Sequence, residues 1–571
     1  MVRISFCLLL LTLLSCHSSR NIVSEKHVNP YRYSIEKKTV SDRGAVVSAH
    51  PLASAVGVAI MKKGGNAVDA AIATQLALAV VYPGAGNLGG GGFMVARLAD
   101  GRTVSLDYRE IAPASAHRDM YLDAKGNVIP DKSLRGPSSS GVPGTVAGLF
   151  ESMQYARLPF RDLVQPAIDL AEKGFVITER EASGLNRLQD ELRKYNTIAP
   201  VFQRANPWLV GDTLVQKDLA NTLKRIRDNG LAGFYEGETA RLIVDEMKRG
   251  GGYITLDDLK NYKAKWRNPH TFAYKGYTIV SMPMPSSGGA LLHQMMKMIE
   301  DKPLASYGFL SPQAVQLMTE VERRAFADRA QYMGDADFVK VPLDVLTSDA
   351  YLKNRMKDYD PAKPGSSTVT QPGIVPKEES EETTHLNVID SEGNAVAVTT
   401  TLNDNYGSKT VVGGAGFLLN DEMDDFSVKP GVPNMYGAIG GEANAIAPGK
   451  RMLSSMTPTI VLQNGKPFLV VGTPGGTTIP TSVFQTIVNI IEFNMSTEDA
   501  VNKPKFHHQW MPDQIFVELS FPKTTWAALE KMGYKLESRG GIGRTEVIRV
   551  LPNGKFEAVA DGRGDDGAAG F

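Results

Sequence analysis

The hydrophobic and polar positions of the chain first follow a helical period, which predicts two consecutive helices near the N-terminus. Apolar residues recur at helical spacing over residues 51–63, and two glycines end that run. Asn66 then caps a second run, AVDAAIATQLALAVV, which stops just before Pro83. Because this second run has no polar face, we expect a buried helix.

Strand-like runs dominate the C-terminal third of the chain. TTHLNVID and NAVAVTTTLN predict a hairpin that turns at residues 390–394. MTPTIVLQNGKPFLVVGTPGG predicts another, turning at Asn464 and Gly465 and followed by a helix-like run. Before them, Ser311 caps a helix that has Pro312 at its first position. The pattern indicates one body of mixed α and β structure.

Two irregular segments interrupt this pattern. Residues 414–455 form the longest, and a segment of that length inside a compact domain is usually a lid or a binding loop. Residues 84–92, GAGNLGGGG, match the dinucleotide pattern G-x-G-x-x-G. That pattern needs a strand before it and a helix after it, whereas here a helix precedes and a strand follows. The glycines therefore predict close backbone packing or clearance around a pocket.

Thr383 stands between a flexible segment and a predicted strand. Residues 359–382 contain four prolines and a closing acidic cluster, which predicts an exposed, mobile loop. A cut between Glu382 and Thr383 would give Thr383 a free α-amine, whose pKa of about 7.7–8 suits proton transfer near neutrality. One residue would then carry both nucleophile and base. Alternatively, the two threonines simply open a strand, as β-branched residues often do.

The composition narrows the class of protein. Sixty-two basic residues balance sixty-two acidic ones among 571, so no overall field points to nucleic acid or to an anionic membrane. At 42% apolar residues the chain is of the globular type.

The N-terminus predicts export. A short basic start and the apolar run ISFCLLLLTLL match a secretory signal over residues 1–15 and are too short to span a bilayer. Leu13-Leu14-Ser15-Cys16 resembles a bacterial lipobox, which implies a lipid on Cys16 and a periplasmic or cell-envelope location. The alternative is an ordinary signal with a chance cysteine. The polar residues 16–44 suggest a tether. The two cysteines of the chain, Cys7 and Cys16, both lie at the N-terminus, so no disulfide is expected in the mature protein.

Several motifs together resemble the γ-glutamyltransferases, also called glutathione hydrolases. They are AHPLASAVGVAIMKKGGNAVDAAIATQLALAVVYPGAGNLGGGGF, LDYRE, ETTHLNVIDSEGNAVAVTTTLN, LLNDEMDDFS, PGVPNMYGAIGGEANAIAPGKRMLSSMTPTIV and GTPGG. The likeness runs in order from about residue 45 to the C-terminus. It implies the α+β fold of the N-terminal-nucleophile hydrolases, a four-layer αββα sandwich. It also implies self-cleavage into a large subunit, residues 45–382, and a small catalytic subunit, residues 383–571, that stay together.

The resemblance also implies roles for individual residues. Thr383 would be the nucleophile, Thr401 would hydrogen-bond it, and the amides of Gly475 and Gly476 would form an oxyanion hole. Arg109, Ser454 and Ser455 would bind the substrate carboxylate, and Asn403, Glu422 and Asp425 would bind the substrate ammonium. Tyr436 would be the tyrosine of the lid. Taken without the resemblance, Thr401 is a strand former, the glycines a tight turn, and the charged groups a solvated surface.

The implied reaction transfers the γ-glutamyl group of glutathione, through an ester on Thr383, to water or to an amino acid or dipeptide. No metal or organic cofactor is expected. A β-lactam-side-chain or glutaryl acylase of the same fold would share Thr383 without needing the zwitterion-binding set. A lipid-anchored binding protein without catalysis is the non-enzyme alternative. The balance of hydrolysis and transfer, the preferred acceptor, the membrane leaflet and any association beyond the heterodimer are not predicted.

Overall fold

The structure is a computed structural model that describes residues 28–369, 383–432, 434–435, 437 and 439–571. Within these ranges the strands are β1 (Lys38–Ser41), β2 (Gly44–Ser48), β3 (Gly91–Arg97), β4 (Thr103–Asp107), β5 (Phe175–Val176), β6 (Thr213–Leu214), β7 (Lys265–Arg267), β8 (His270–Tyr274), β9 (Tyr277–Ser281), β10 (Thr384–Asp390), β11 (Ala395–Thr401), β12 (Thr459–Gln463), β13 (Lys466–Gly472), β14 (Phe506–His507), β15 (Ile515–Glu518), β16 (Leu536–Arg539), β17 (Glu546–Val550), β18 (Phe556–Val559) and β19 (Gly567–Gly570).

The helices of the same ranges are α1 (Pro51–Lys62), α2 (Ala67–Val81), α3 (Thr145–Ser152), α4 (Phe160–Lys173), α5 (Glu179–Arg187), α6 (Gln189–Tyr195), α7 (Lys217–Asn229), α8 (Ala232–Tyr235), α9 (Gly237–Gly250), α10 (Leu256–Asn261), α11 (Gly288–Ile299), α12 (Leu304–Tyr307), α13 (Pro312–Tyr332), α14 (Leu343–Leu346), α15 (Asp349–Arg355), α16 (Thr478–Ile491), α17 (Thr497–Asn502) and α18 (Lys523–Met532). Short 3₁₀ turns lie at Pro137–Ser139, Met153–Tyr155, Glu422–Asp425 and Glu442–Asn444.

Two seven-stranded antiparallel sheets form the centre of the molecule. Their orders are β1-β18-β17-β13-β12-β9-β8 and β19-β2-β10-β11-β3-β4-β7. Neighbouring residues of β2 point to opposite faces, so Val46 packs with α1 and α2, while Val47 packs toward the other sheet. Helices α11, α13 and α16 cover the outer face of that other sheet. The predicted α+β four-layer αββα sandwich is confirmed.

The predicted helices have the expected ends. Asn66 caps α2 through a capping box with Asp69, and every residue of α2 is buried. Ser311 caps α13 by accepting the N–H of Ala314, with Pro312 at the first position. The two predicted hairpins are β10–β11 and β12–β13.

The glycine-rich run between α2 and β3 lies against backbone. A Cβ atom would lie 2.1 Å from the carbonyl oxygen of Leu78 at Gly86, 2.2 Å from that of Leu418 at Gly89, and 2.1 Å from that of Thr401 at Gly90. Any side chain would clash with these oxygens. The predicted close backbone packing is therefore confirmed.

Two predictions for the connecting segments need correction. The tether predicted over residues 16–44 is wrong for its last part, because β1 pairs with β18 and Lys37 Nζ donates to three main-chain carbonyls near the C-terminus. Strand β1 has only four residues, and they are mostly exposed or half-buried, so the sequence gives no clear strand signal for it. The loop predicted as exposed over residues 359–382 is buried at Ser367, whose N–H donates to Asp513. Residues 370–382 lie outside the described residues.

Among the described residues, none of the helices has the length and apolar character that crossing a bilayer requires. Cys16, on which a lipid was predicted, lies outside the described residues.

Candidate active site

The β10–β11 hairpin brings Thr383 and Thr401 together. Thr384 pairs with Thr400 in the hairpin register, which places Thr383, just before β10, beside Thr401 at the end of β11. Their hydroxyl oxygens are 3.5 Å apart, and both residues are buried. Thr401 Oγ1 also accepts the N–H of Asn403 at 2.8 Å, so its own proton is available to Thr383.

A small cavity of about 20 Å³ gathers most of the predicted site residues. It is lined by Arg109, Arg329, Thr383, Thr401, Asn403, Glu422, Asp425, Asn434, Ser454, Ser455, Met456, Gly476, Thr477 and Ile479. Such a volume holds about one water molecule.

Arg109 lies at the centre of this cavity and is paired with the two predicted ammonium ligands. Its Nη1 contacts Glu422 and its Nη2 contacts Asp425, and only 1% of the residue is exposed. Burial alone would lower the pKa of Arg109, but these carboxylates outweigh it and raise that pKa above its ordinary value. The predicted carboxylate and ammonium binders thus neutralise each other in this structure.

Glu110 adds a further acidic group beneath Arg109. Its carboxylate lies 3.7 Å from Arg109 Nη1, and neither of its oxygens has a hydrogen-bond partner among the described residues. Burial raises the pKa of Glu110 to about 8, with Arg109 opposing. The same cause raises the pKa values of Glu422 and Asp425. The cluster therefore carries less negative charge than its composition suggests.

Arg329 is a site residue that sequence reasoning missed. It projects from α13, donating from Nε to Ser287 Oγ at 3.0 Å and from Nη2 to Ser455 Oγ at 3.2 Å. Burial lowers its pKa to about 10. It lies far in sequence from every motif. Helix α13 also carries the buried charged residues Glu320, Glu322, Arg323, Arg324 and Asp328, so no sequence signal singles out Arg329.

The predicted serines, Ser454 and Ser455, precede β12, and the predicted glycines, Gly475 and Gly476, follow β13. Ser454 Oγ accepts the N–H of Met456, and the main chain of Ser454 bridges to Ser286. Gly475 and Gly476, both at positive φ, turn the chain from β13 into α16. The N–H groups of Gly475 and Gly476 donate to no other described residue. Gly476 lines the cavity, whereas Gly475 does not.

The long irregular segment carries Glu422 and Asp425 into the site, and Asp424 lies between them in the same short 3₁₀ turn. Asp424 accepts the hydroxyl of Ser133 at 2.7 Å and the N–H of Met435 at 2.9 Å. Burial raises the pKa of Asp424 to about 6. Tyr436 and Glu382, two further predicted site residues, lie outside the described residues.

No group of three or more His, Cys, Asp or Glu side chains within the ranges that the structure describes is arranged to hold a metal ion.

The four-layer sandwich, with a threonine at the start of a central strand facing the pocket, places the protein among the N-terminal-nucleophile hydrolases. The sequence model described as Gamma-glutamyltranspeptidase matches residues 53–571. The chain belongs to the γ-glutamyltranspeptidase family.

Individual relatives agree with this assignment. The chain is 46% identical over 550 residues to a glutathione hydrolase proenzyme of Escherichia coli, covering 95% of each sequence. A solved γ-glutamyltranspeptidase of Helicobacter pylori is 42% identical, with a TM-score of 0.56, over 61% of this chain and 99% of that one. A cephalosporin acylase of Bacillus halodurans superposes with a TM-score of 0.81 at 26% identity, over 95% of this chain and 98% of that one.

Proposed function

We propose that the protein is a self-processing γ-glutamyltransferase that cleaves the γ-glutamyl amide bond of glutathione and related compounds. The observation that carries the proposal is the single pocket in which the Thr383 hydroxyl meets Thr401 and the charged set around Arg109. The family and its glutathione hydrolase members support the same activity.

Maturation is an intramolecular acyl shift. The Thr383 hydroxyl attacks the carbonyl carbon of Glu382, and the C–N bond to Thr383 breaks as an ester forms. Water then opens the ester, leaving a carboxylate on Glu382 and a free amine on Thr383. That amine serves as the base in each later turnover, since its pKa lies near neutrality.

Catalysis uses the same hydroxyl on the substrate. Thr383 attacks the γ-carbonyl carbon, the oxyanion is held by the amides of Gly475 and Gly476, and the amine product leaves. The γ-glutamyl ester then passes to water, an amino acid or a dipeptide. The Thr401 hydroxyl oxygen lies 3.5 Å from that of Thr383, and Thr401 would donate to it and fix its direction.

The charged set fits the head group of a γ-glutamyl substrate. The substrate carboxylate would bind the guanidinium of Arg109 and the hydroxyls of Ser454 and Ser455. The substrate ammonium would bind Glu422, Asp425 and Asn403. Because Arg109 now pairs with Glu422 and Asp425, the substrate zwitterion would replace an existing ion pair. Little net charge would then be buried on binding.

The test compares γ-glutamyl-anilide with glutaryl-anilide, which lacks the α-amine. We expect the γ-glutamyl compound to be hydrolysed much faster, and the purified protein to give two bands, the smaller beginning at Thr383. Thr383→Ala should give one uncut, inactive chain, whereas Thr383→Ser should still mature, more slowly. Preference for glutaryl-anilide would favour an acylase, and a single band from wild type would favour a binding protein.

The cellular location is proposed from the sequence. The signal over residues 1–15 and the lipobox at Cys16 support an exported, lipid-anchored enzyme of the periplasm or cell envelope, in contact with the membrane only through its lipid. The balance of basic and acidic residues gives no reason to propose a nucleic-acid partner. Cys16→Ser should release active enzyme into the soluble fraction, and wild-type activity that is already soluble would contradict the anchor.

A further inference from the structure

Arg329 lines the catalytic pocket, and the mechanism proposed above gives it no role. It projects from helix α13, is 8% exposed, and shares the cavity wall with Ser454 and Ser455. These two serines are the proposed hydroxyl ligands of the substrate carboxylate. A cation that contacts them can therefore act on the carboxylate through them.

The contact with Ser455 has a direction that the chemistry of the guanidinium group fixes. Arginine donates hydrogen bonds and accepts none. The hydrogen bond from Arg329 Nη2 to Ser455 Oγ, at 3.2 Å, therefore occupies a lone pair of the serine oxygen. The hydroxyl proton of Ser455 donates to no other described residue. Because Ser455 lines the cavity, this proton is available to a substrate carboxylate.

A second nitrogen of Arg329 reaches Ser454 through Ser287. Arg329 Nε donates to Ser287 Oγ at 3.0 Å, and Ser287 Oγ donates its own proton to the carbonyl oxygen of Ser454 at 2.8 Å. The same carbonyl oxygen accepts the N–H of Ser287 at 2.8 Å. The guanidinium thus connects α13 to both serines of the carboxylate site.

Other groups already hold the main chain of the two serines. The N–H of Ser454 donates to the carbonyl oxygen of Pro285 at 2.9 Å, and the carbonyl oxygen of Ser455 accepts the hydroxyl of Thr457 at 2.8 Å. The side chain of Ser455 can still rotate among its staggered positions. The hydrogen bond from Arg329 favours the position in which Oγ faces Nη2.

We propose that Arg329 is a positioning residue that holds the Ser455 hydroxyl so that its proton points at the substrate carboxylate. Arg109 would supply the charge at this site, and Ser455 a directed hydrogen bond. The inference rests on the proposed function in one respect, which is that the donor carries a carboxylate at this place. Recognition of the ammonium and the chemistry at Thr383 do not pass through Arg329.

The test compares three anilides that differ only in their charged groups. The γ-glutamyl compound carries the carboxylate and the ammonium, the glutaryl compound only the carboxylate, and the 4-aminobutyryl compound only the ammonium. Arg329→Gln keeps a nitrogen at the position of Nε and removes Nη2. We expect kcat/KM to fall about tenfold for the two carboxylate-bearing anilides, mainly through KM, and less than about twofold for 4-aminobutyryl-anilide.

A double-mutant cycle with Ser455→Ala tests whether Arg329 acts through Ser455. In that background no hydroxyl remains to be positioned, so Arg329→Gln should cost less than about a further twofold. The control is Lys340→Gln, which removes a positive charge from an exposed position after α13 and should leave all three rates unchanged. Should Arg329→Gln fold poorly, Arg329→Lys keeps the charge but loses the fork, and a smaller loss should fall on the same two anilides.

Three results would overturn the proposal. Equal losses on all three anilides would show that Arg329 only supports the structure of the pocket. A tenfold loss that persists in the Ser455→Ala background would show that Arg329 binds the carboxylate directly. Unchanged kinetics in Arg329→Gln would show that Ser455 needs no positioning. Wild type that hydrolyses none of the anilides would instead refute the proposed function and this inference with it, so the two failures are distinguishable.

Discussion

At the scale of single residues, the catalytic pocket is organised around one buried cation. Arg109 is 1% exposed and contacts Glu422 and Asp425, and a lone buried guanidinium would be very costly. The carboxylates that would bind a substrate ammonium therefore also compensate the buried charge of Arg109. Recognition and stability share the same groups.

Arg109→Lys should separate substrate recognition from self-cleavage. Lysine keeps the charge but loses the planar fork that matches a carboxylate, so kcat/KM for γ-glutamyl-anilide should fall about 10- to 100-fold, mainly through KM. Maturation involves no free glutamate and should proceed nearly as in wild type. Steady-state kinetics and a time course of chain cleavage measure both.

The companion variant is Asp425→Asn, which weakens the ammonium contact. It should lose the preference for γ-glutamyl over glutaryl substrates, because the glutaryl group has no amine for Asp425 to bind. Full discrimination retained by this variant would show that the acidic turn does not contact the substrate.

Glu110→Gln tests the unsatisfied carboxyl beneath Arg109. Burial raises the pKa of Glu110 from 4.5 to about 8, so the folded protein binds more protons than the unfolded chain between these values. Folding stability should consequently fall as pH rises from about 4.5 to 8, and glutamine removes that loss. Relative to wild type, the Tm of Glu110→Gln should rise by at least about 2 °C between pH 5 and pH 9. The Tm of a variant at the exposed Glu179, Glu179→Gln, should change with pH in parallel with that of wild type. A Glu110→Gln variant whose Tm also changes in parallel with that of wild type would contradict the raised pKa of Glu110.

Residues near a local motif could be predicted from sequence, whereas residues supplied by a distant element could not. Thr383 is marked by the linker before it and the strand pattern after it, and it lines the pocket as expected. Arg329 enters the same pocket from α13, and only the packing of that helix beside Ser455 brings it there. Gly475 was predicted by the same motif as Gly476, but only Gly476 lines the cavity.

At the scale of elements, the β10–β11 hairpin fixes the distance between Thr383 and Thr401, and the glycine run holds the end of β11. Gly90 lies directly beneath the carbonyl of Thr401. Its own carbonyl accepts the N–H groups of Gly144 and Thr145. The run therefore ties the hairpin to the start of α3.

Gly90→Ala should damage activity through this contact. A Cβ atom at Gly90 would lie 2.1 Å from the Thr401 oxygen, so β11 must shift and carry the Thr401 hydroxyl away from Thr383. We expect a loss of stability of about 1–3 kcal/mol and a clear fall in kcat with KM little changed. Gly540→Ala is the control, because nothing lies within 4 Å of a Cβ atom there. Normal kcat in Gly90→Ala would mean that the Thr383–Thr401 pair tolerates displacement.

The elements that sequence predicted well have strong local signals. Asn66 and the apolar run after it define α2, and Asn464-Gly465 defines the turn between β12 and β13. Strand β1 and the buried Ser367 lack such signals, because each is held by a partner more than a hundred residues away. Long-range pairing of short segments is what the sequence pattern does not show.

At the scale of the whole molecule, the proposed cleavage point divides both sheets. In one sheet β2, β3, β4 and β7 precede residue 383, while β10, β11 and β19 follow it. In the other, β1, β8 and β9 precede it, while β12, β13, β17 and β18 follow it. Strand β2 lies between β10 and β19, so a strand from before the cut pairs on both edges with strands from after it.

The two fragments should therefore separate only when the fold is lost. Ladder hydrogen bonds and the apolar layer between the sheets, rather than surface ion pairs, would join them, so 1 M salt should not release them. In a denaturant series, fragment separation measured by size exclusion should share one midpoint with the loss of far-UV circular dichroism. The uncut Thr383→Ala chain, of 61.9 kDa with its signal, is the control for elution of the intact body. Fragments that part in buffer while keeping their secondary structure would contradict this, because neither sheet can retain its strand order without strands from both sides of residue 383.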